Sequence, residues 1–446
     1  MTSASLTRWI FVSAALVCGV PAANATLPIQ QWQTTSGAKV LFVETHDLPM
    51  IDLAVDFPAG SSRDTPEKAG LASLAVGLMR SGAGELTEDQ ISERAASIGA
   101  ELSGRFDMDR AGYGLRTLSS ARERDEALGL LAAVLQKPTY PNDVFVREQQ
   151  RMLAGLREAE TRPEVLADRE FKRLMYGTHP YGQRGAGEAE SVAKLTREDL
   201  VAFYREHFFA GDAIVSMIGD MTRSEAAAIA EQLTAGLPAR VQPLPALPPV
   251  QQLESGKISR ISHPATQAHI LIGQPGIKRL DPDYFALFLG NYVLGGGGFA
   301  SRLSDEIRQK RGYAYSTYSY FNPLEVEGPF QISVQTKKEQ TEEALKVAQD
   351  TLAKFVADGP TAQELDAAKQ NVIGGFPLRI DSNKKIQEYL SIIGFYRLPL
   401  TYLDDFPVRI EQLTLEQIRD AWRRRIHPDR MVTVVVAGGD AAESPR

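Results

Sequence analysis

Six histidines, one cysteine and a run of four glycines are the residues of this 446-residue chain whose types most readily carry catalysis or ligand binding. The histidines are His46, His179, His207, His263, His269 and His427. No two of them lie four residues apart on one helix, the spacing at which two imidazoles share a face and hold a metal ion. Each is better suited to hydrogen bonding in a loop or on a surface than to ligation. The tract Gly295, Gly296, Gly297 and Gly298 follows a helical segment rather than a strand. It also lacks the lysine and the serine or threonine of a phosphate loop, so a helix-to-helix turn is the plain reading. No serine elbow and no paired carboxylates stand out.

Chemistry is also missing where it is common, on the first helix after the opening strands. The stretch AGLASLAVGLMRSGAG, Ala69 to Gly84, carries Leu71, Leu74, Ala75, Leu78 and Met79 at helical spacing. That stripe predicts one core-facing side. The other side offers only Ala72, Ser73, Val76, Gly77 and Arg80.

The elements that would position any site fall into two halves. Residues 1–25 have the pattern of an export signal: Arg8, an apolar run from Trp9 to Val20, and the small-x-small site Ala23-Asn24-Ala25. Cleavage after Ala25 and a periplasmic location are expected. Cys18 lies in that signal, so the mature chain has no thiol for disulfides, metal or nucleophilic attack. Removing Arg8 makes the net charge one unit more negative than the formal −7, which disfavours nucleic acid as a partner. No later apolar run is long enough to span a membrane.

From residue 26 to 236 the pattern is α+β: strands VLFVET and MIDLAVDF, the apolar helix, a helix near Glu88 to Ile98, a strand pair within Ala100 to Leu118, further helices, and the strand AIVSMIG. A proline-rich stretch, residues 237–257 with Pro238, Pro243, Pro245, Pro248 and Pro249, predicts an extended linker. After it, over residues 258–440, the order begins again with strand AHILIGQ, helix Tyr284 to Leu294, the glycine tract, helix Ser301 to Arg311 and a strand pair. Ile98-Gly99-Ala100 corresponds to Arg311-Gly312-Tyr313 at an offset of 213. An internal duplication into two similar α+β domains enclosing a cleft follows.

Five blocks in this order resemble the M16 zinc peptidases, the pitrilysin and mitochondrial processing peptidase group. They are GLASLAVGLM after Gly60, THPYGQRGAG at Thr178 to Gly187, AIVSMIGDM at Ala213 to Met221, ATQAHILIGQPG at Ala265 to Gly276, and VLGGGGFASRLSDEIRQKRGYAYS at Val293 to Ser316. The resemblance implies a two-domain subunit that works as half of a paired chamber. Catalytic members carry the inverted motif His-x-x-Glu-His, two zinc ligands and a base on one helical face. The matching positions here are Ser73, Val76 and Gly77, and the family's third ligand falls near Ala154. None of these can ligate zinc or move a proton as the motif does. The resemblance also implies an arginine and tyrosine that reach the active site of the facing domain, here Arg308 and Tyr315, and a glycine loop beside the substrate path, here Gly295 to Gly298. A guanidinium donates to a substrate carbonyl and a phenol to an oxyanion.

The expectation is therefore a non-catalytic subunit that binds no zinc itself, pairs with an M16 subunit bearing an intact His-x-x-Glu-His motif, and contacts peptide substrates. A scaffold or peptide-capturing protein without a proteolytic role is the alternative.

Overall fold

The computed structural model describes residues 27–239 and 244–438. The export signal, linker residues 240–243 and residues 439 onward, including the end of the second expected domain, lie outside the described residues. Among the described residues, no helix is long and apolar enough to cross a membrane.

The first half builds a six-stranded sheet from β1 (Gln30–Gln33), β2 (Lys39–Glu44), β3 (Met50–Phe57), β4 (Glu101–Phe106), β5 (Ala111–Leu118) and β6 (Ile214–Gly219). Its order is β1-β2-β6-β3-β5-β4. The second half builds a five-stranded sheet from β7 (Lys257–Ser262), β8 (Gln267–Pro275), β9 (Ala314–Phe321), β10 (Pro329–Lys337) and β11 (Val432–Ala437). Its order, taken from the β7 edge, is β7-β11-β8-β10-β9.

Leaving aside the extra edge strand β1, the two orders superimpose strand for strand. Both place one parallel pair at the same position, β2 with β6 and β7 with β11, and pair every other neighbour antiparallel. The starts of β4 at Glu101 and β9 at Ala314 keep the offset of 213. The glycines before them match too, with Gly99 at φ 65° and Gly312 at φ 66°. Only a residue without a side chain enters that left-handed turn at little cost.

Helix starts follow local chemistry. Thr87, Thr196, Thr222, Thr361 and Thr414 each begin a helix with a reciprocal capping box to the residue three positions on. Helix α1 (Leu71–Leu78) is shorter than the expected Ala69 to Gly84, and Met79–Ser81 tightens into a 3-10 turn before Gly82 and Ala83 pair with Leu86 and Thr87. The expected second-half helices change hydrogen-bonding type. Tyr284–Asn291 is α-helical, then Tyr292–Gly296 widens into a π turn, and Ser304–Gln309 is π-type as well. The wide turn seats Gly295 against β9, where a Cβ would lie 2.3 Å from Ser319 Oγ.

Helices α2 (Asn142–Ala159), α3 (Pro163–Tyr176) and α4 (Asn383–Phe395) complete the frame. The last two cross between halves. Helix α3, from the first half, lays Ala167, Phe171 and Met175 on Leu271, Val432, Val434 and Val436 of the second sheet. Helix α4, from the second half, lays Ile386, Leu390 and Ile393 on Leu41, Val43, Ile214 and Ile218 of the first. Each sheet is thus covered on one face by its own half and on the other by a helix borrowed from its neighbour.

Buried polar groups fix the exchange. Asp109, 1 % exposed, accepts from Tyr181 Oη at 2.6 Å, from Tyr396 Oη at 2.8 Å and from Glu325 N at 2.8 Å, so one carboxylate ties a first-half loop to two second-half segments. Asp56, equally buried, accepts from Arg105 Nε at 3.0 Å and from Ser391 Oγ on α4. The linker is held as well, since Arg63 Nη1 donates to the Pro245 carbonyl at 2.8 Å.

Each large aliphatic chain buried in this exchange contributes about 1.5–3 kcal/mol relative to exposure. A half expressed alone would therefore leave an apolar sheet face in water. We predict that residues 27–236 produced alone are insoluble and are recovered as soluble protein on co-expression with residues 244–438. A monomeric, cooperatively folding first half in size-exclusion and thermal-melt measurements would contradict the exchange as the basis of the fold.

Candidate functional site

Helix α1 starts at Gly70, whose φ of 96° turns the chain into the helix. The buried carboxyl of Asp64 serves as its cap, accepting from Gly70 N and Ala72 N, both at 2.9 Å. Burial pushes this carboxyl up to about 7, against the pull of the backbone amides that donate to it. The helix is buried more completely than a two-sided stripe predicts. Ala72 and Val76, expected on the outer face, are 0 % and 2 % exposed. The Val76 side chain fills core volume, and its carbonyl accepts from the buried Tyr113 phenol at 2.8 Å. Only Ser73 and Gly77 of the motif positions reach the surface.

Ser73 and Gly77 line a cavity of about 700 Å³ between α1 and α2. The opposite wall is charged. Glu148 accepts from Arg147 Nε at 3.0 Å and pairs with Arg151 at 2.6 Å, and Arg147 also reaches Glu88 at 2.7 Å. The carboxylates of Glu88 and then Glu148 hold the Arg147 guanidinium firmly in its charged form. Arg80 adds a further positive charge at the rim. Ala154, the position reached by counting along the sequence, is exposed and does not line this cavity. Glu148, six residues earlier, does line it. The physical reason is helical periodicity: Glu148, Arg151 and Met152 recur at helical spacing on one stripe of α2, from which Ala154 is turned away.

The residues present do not fit zinc. A catalytic zinc needs three neutral or anionic donors converging on one point, and here Ser73 and Gly77 face a carboxylate already occupied by two guanidiniums, while Val76 lies in the core. Among the described residues, no group of three or more His, Asp or Glu side chains is placed to hold a metal ion. Three of the histidines make structural hydrogen bonds. His179 Nδ1 accepts from Tyr181 N at 3.0 Å, which leaves Nε2 to donate to the linker carbonyl of Pro248 at 2.9 Å. His46 bridges Asp220 and Glu44, and His263 reaches the Thr161 carbonyl.

The second-half residues lie on a different surface. Arg308 sits exposed on the helical segment after the glycine tract, its guanidinium 4.6 Å from the centroid of Phe299, which is itself 65 % exposed. Tyr315 is 59 % exposed at the start of β9, where the register with β10 slips between Ala314 and Ser316. That bulge turns Tyr315 out of the regular pleat. Neither the Arg308 nor the Tyr315 side chain has a hydrogen-bond or ion-pair partner among the described residues. The glycines position this loop by packing. A Cβ on Gly295, Gly296 or Gly297 would collide with Ser319, Asn291 or Tyr292, while Gly298, at φ 61°, faces open space.

These environments predict opposite effects for two glycines. Gly77 has nothing within 4 Å of a built Cβ and lies inside an α-helix, so Gly77→Ala should stabilise the protein by about 0.5–1 kcal/mol. Gly295→Ala must displace Ser319 and should destabilise it by about 1–3 kcal/mol. Denaturation midpoints measure both, and equal shifts of the same sign would contradict the assigned packing.

Comparison with known proteins agrees with this geometry. The family model described as insulinase (peptidase family M16) matches residues 39–187, and the one described as peptidase M16 inactive domain matches residues 194–372. A Helicobacter pylori protein named non-peptidase homolog YmxG is 27 % identical over 391 residues, covering 85 % of this chain and 87 % of the relative. A crystal structure of a peptidase M16 inactive domain from Pseudomonas fluorescens is 39 % identical, covers 94 % of this chain and 100 % of that one, and superimposes with a TM-score of 0.90. The periplasmic protease PqqL of Escherichia coli shares the fold at 17 % identity and a TM-score of 0.77, with 98 % of this chain covering 49 % of that one. With both halves, the loss of the zinc motif and these matches in agreement, the chain belongs to the M16 peptidase family.

Proposed function

We propose that this protein is the non-catalytic subunit of a periplasmic, heterodimeric M16 peptidase. Its partner carries the intact His-x-x-Glu-His motif and the zinc. The observation that carries the reading is selective loss. Every motif position of the first half is replaced by a residue that cannot ligate, while the arginine and tyrosine of the second half stay exposed, their side chains without a hydrogen-bond or ion-pair partner among the described residues. Two further observations support it: the name of the Helicobacter pylori relative, and the fact that this chain spans about half of PqqL, which leaves room in that longer chain for a second unit of this size. The export pattern of residues 1–25 supports the periplasm.

In this reading the chain's own residues act across the interface. Arg308 presents fixed guanidinium donors to a carbonyl of the bound peptide, which holds the extended backbone in register. Tyr315 donates its phenolic proton to the oxygen that becomes negative as the scissile carbonyl turns tetrahedral, where a placed donor contributes most. The partner's zinc supplies the activated water, and this chain supplies no proton acceptor to that step.

The purified pair, with an M16 partner bearing the intact motif, should cleave peptides, and this chain alone should not. Arg308→Ala and Tyr315→Phe should each lower kcat/KM of the pair by about tenfold or more, with unchanged pair formation. Full activity in both variants would overturn the transition-state role and favour a scaffold.

A further inference from the structure

The two halves meet at a second cavity, remote from α1, that gathers unusual positive charge. It has a volume of about 760 Å³ and lies where the end of α4, the start of β2 and the linker converge. Lys39 and Arg63 enter from the first half, and Lys278, Arg279 and Arg397 from the second. Among the described residues only Asp212 and Glu325 oppose them, five cations against two carboxylates in one concavity. Most other cations of the molecule sit in ion pairs, yet Lys39, Lys278, Arg279 and Arg397 have no ion-pair partner among the described residues. Arg279 Nε is buried with no hydrogen-bond acceptor, although its guanidinium lies 5.2 Å from the centroid of Tyr396.

Two further features show that this charge is held there at a cost. Arg397 follows α4 at φ 55°, with Leu398 N closing onto the Ile393 carbonyl at 2.9 Å. That is the left-handed helix-terminal position which glycine fills without strain, and a non-glycine residue there is costly enough to point to function. Lys39 has its ammonium pKa lowered, first by burial and then by the nearby Arg397 charge, as expected where like charges crowd.

We propose that this seam cavity binds a small polyanion of the phosphate or polycarboxylate class, gripped by Lys39, Arg279 and Arg397 from both halves at once. Guanidiniums match the planar, bidentate geometry of such groups, and the volume suits a small molecule. The apolar rim of Pro58, Ile214 and Leu280 leaves room for a short carbon skeleton beside the charges. Because the cations come from both halves, the bound anion would also clamp the exchanged helices.

Isothermal titration calorimetry of the full mature chain with pyrophosphate, citrate and a hexaglutamate peptide, at low salt and at roughly 0.3 M salt, tests this. Pyrophosphate or citrate should bind with one site per chain and raise the melting temperature, and which of the two binds more tightly assigns the group. Arg279→Gln and Arg397→Gly should each weaken binding about tenfold or more. Arg397→Gly should meanwhile raise the melting temperature of the free protein by releasing the left-handed strain, which separates lost binding from lost folding. Lys346→Gln, on a distant surface, should leave binding intact. Absence of heat with both small anions, binding by hexaglutamate alone, or equal affinity in the Arg279 and Arg397 variants would overturn the proposal.

Discussion

The exchange of α3 and α4 between the two sheets is the constraint on which the rest of the molecule depends. A β-sheet with two apolar faces needs cover on both sides, and here each half supplies cover for only one face of its own sheet. The second face is completed by the other half, so Ile386, Leu390 and Ile393 belong to the core around Leu41 and Ile214 as firmly as to their own. Asp109 and Asp56 then hold the register of the exchange. Both are almost fully buried, and each would be left with unsatisfied donors around it if the halves slid or parted. The duplication thus produces one interlocked body rather than two beads on a proline-rich string, and the linker lies along its surface, bonded by Arg63 and His179.

This rigidity bears on function because it fixes two surfaces relative to each other. One carries α1 and the charged cavity with Glu148, Arg147 and Arg151, and the other carries Phe299, Arg308 and Tyr315. In the first, the helix is packed into the core while its exposed positions Ser73 and Gly77 offer no ligand and the opposite wall carries guanidiniums. In the second, glycines packed against Ser319, Asn291 and Tyr292 keep the loop in place, and the Arg308 and Tyr315 side chains have no hydrogen-bond or ion-pair partner among the described residues.

Much of the frame was legible in the sequence. The alternation in MIDLAVDF and VLFVET, the turn glycines Gly99 and Gly312 at a constant offset, and the threonine caps are local signals, and local signals survive without a partner in view. The absence of zinc ligands at Ser73, Val76 and Gly77 came from the family resemblance, which puts these residues at the motif positions, and not from a local pattern. What was not legible depends on distant contacts. Periodicity shows that α3 has a buried face but not that Phe171 packs on the other half's sheet, and nothing local in residues 383–395 points to the first. Counting residues along α2 led to Ala154, whereas the stripe that faces α1 carries Glu148 two turns earlier. The near-complete burial of Val76 likewise follows from Tyr113 and β4, which the helix pattern does not contain.

The central claim is that the zinc chemistry of this M16 protein lies on another chain. Its most direct test is the metal content of the purified mature protein after exposure to zinc and removal of excess, measured by elemental mass spectrometry beside the assembled pair. The account predicts that this chain alone retains far less than one equivalent, while the pair carries one zinc that stays with the partner when the subunits are separated. One tightly held equivalent on this chain alone would contradict it.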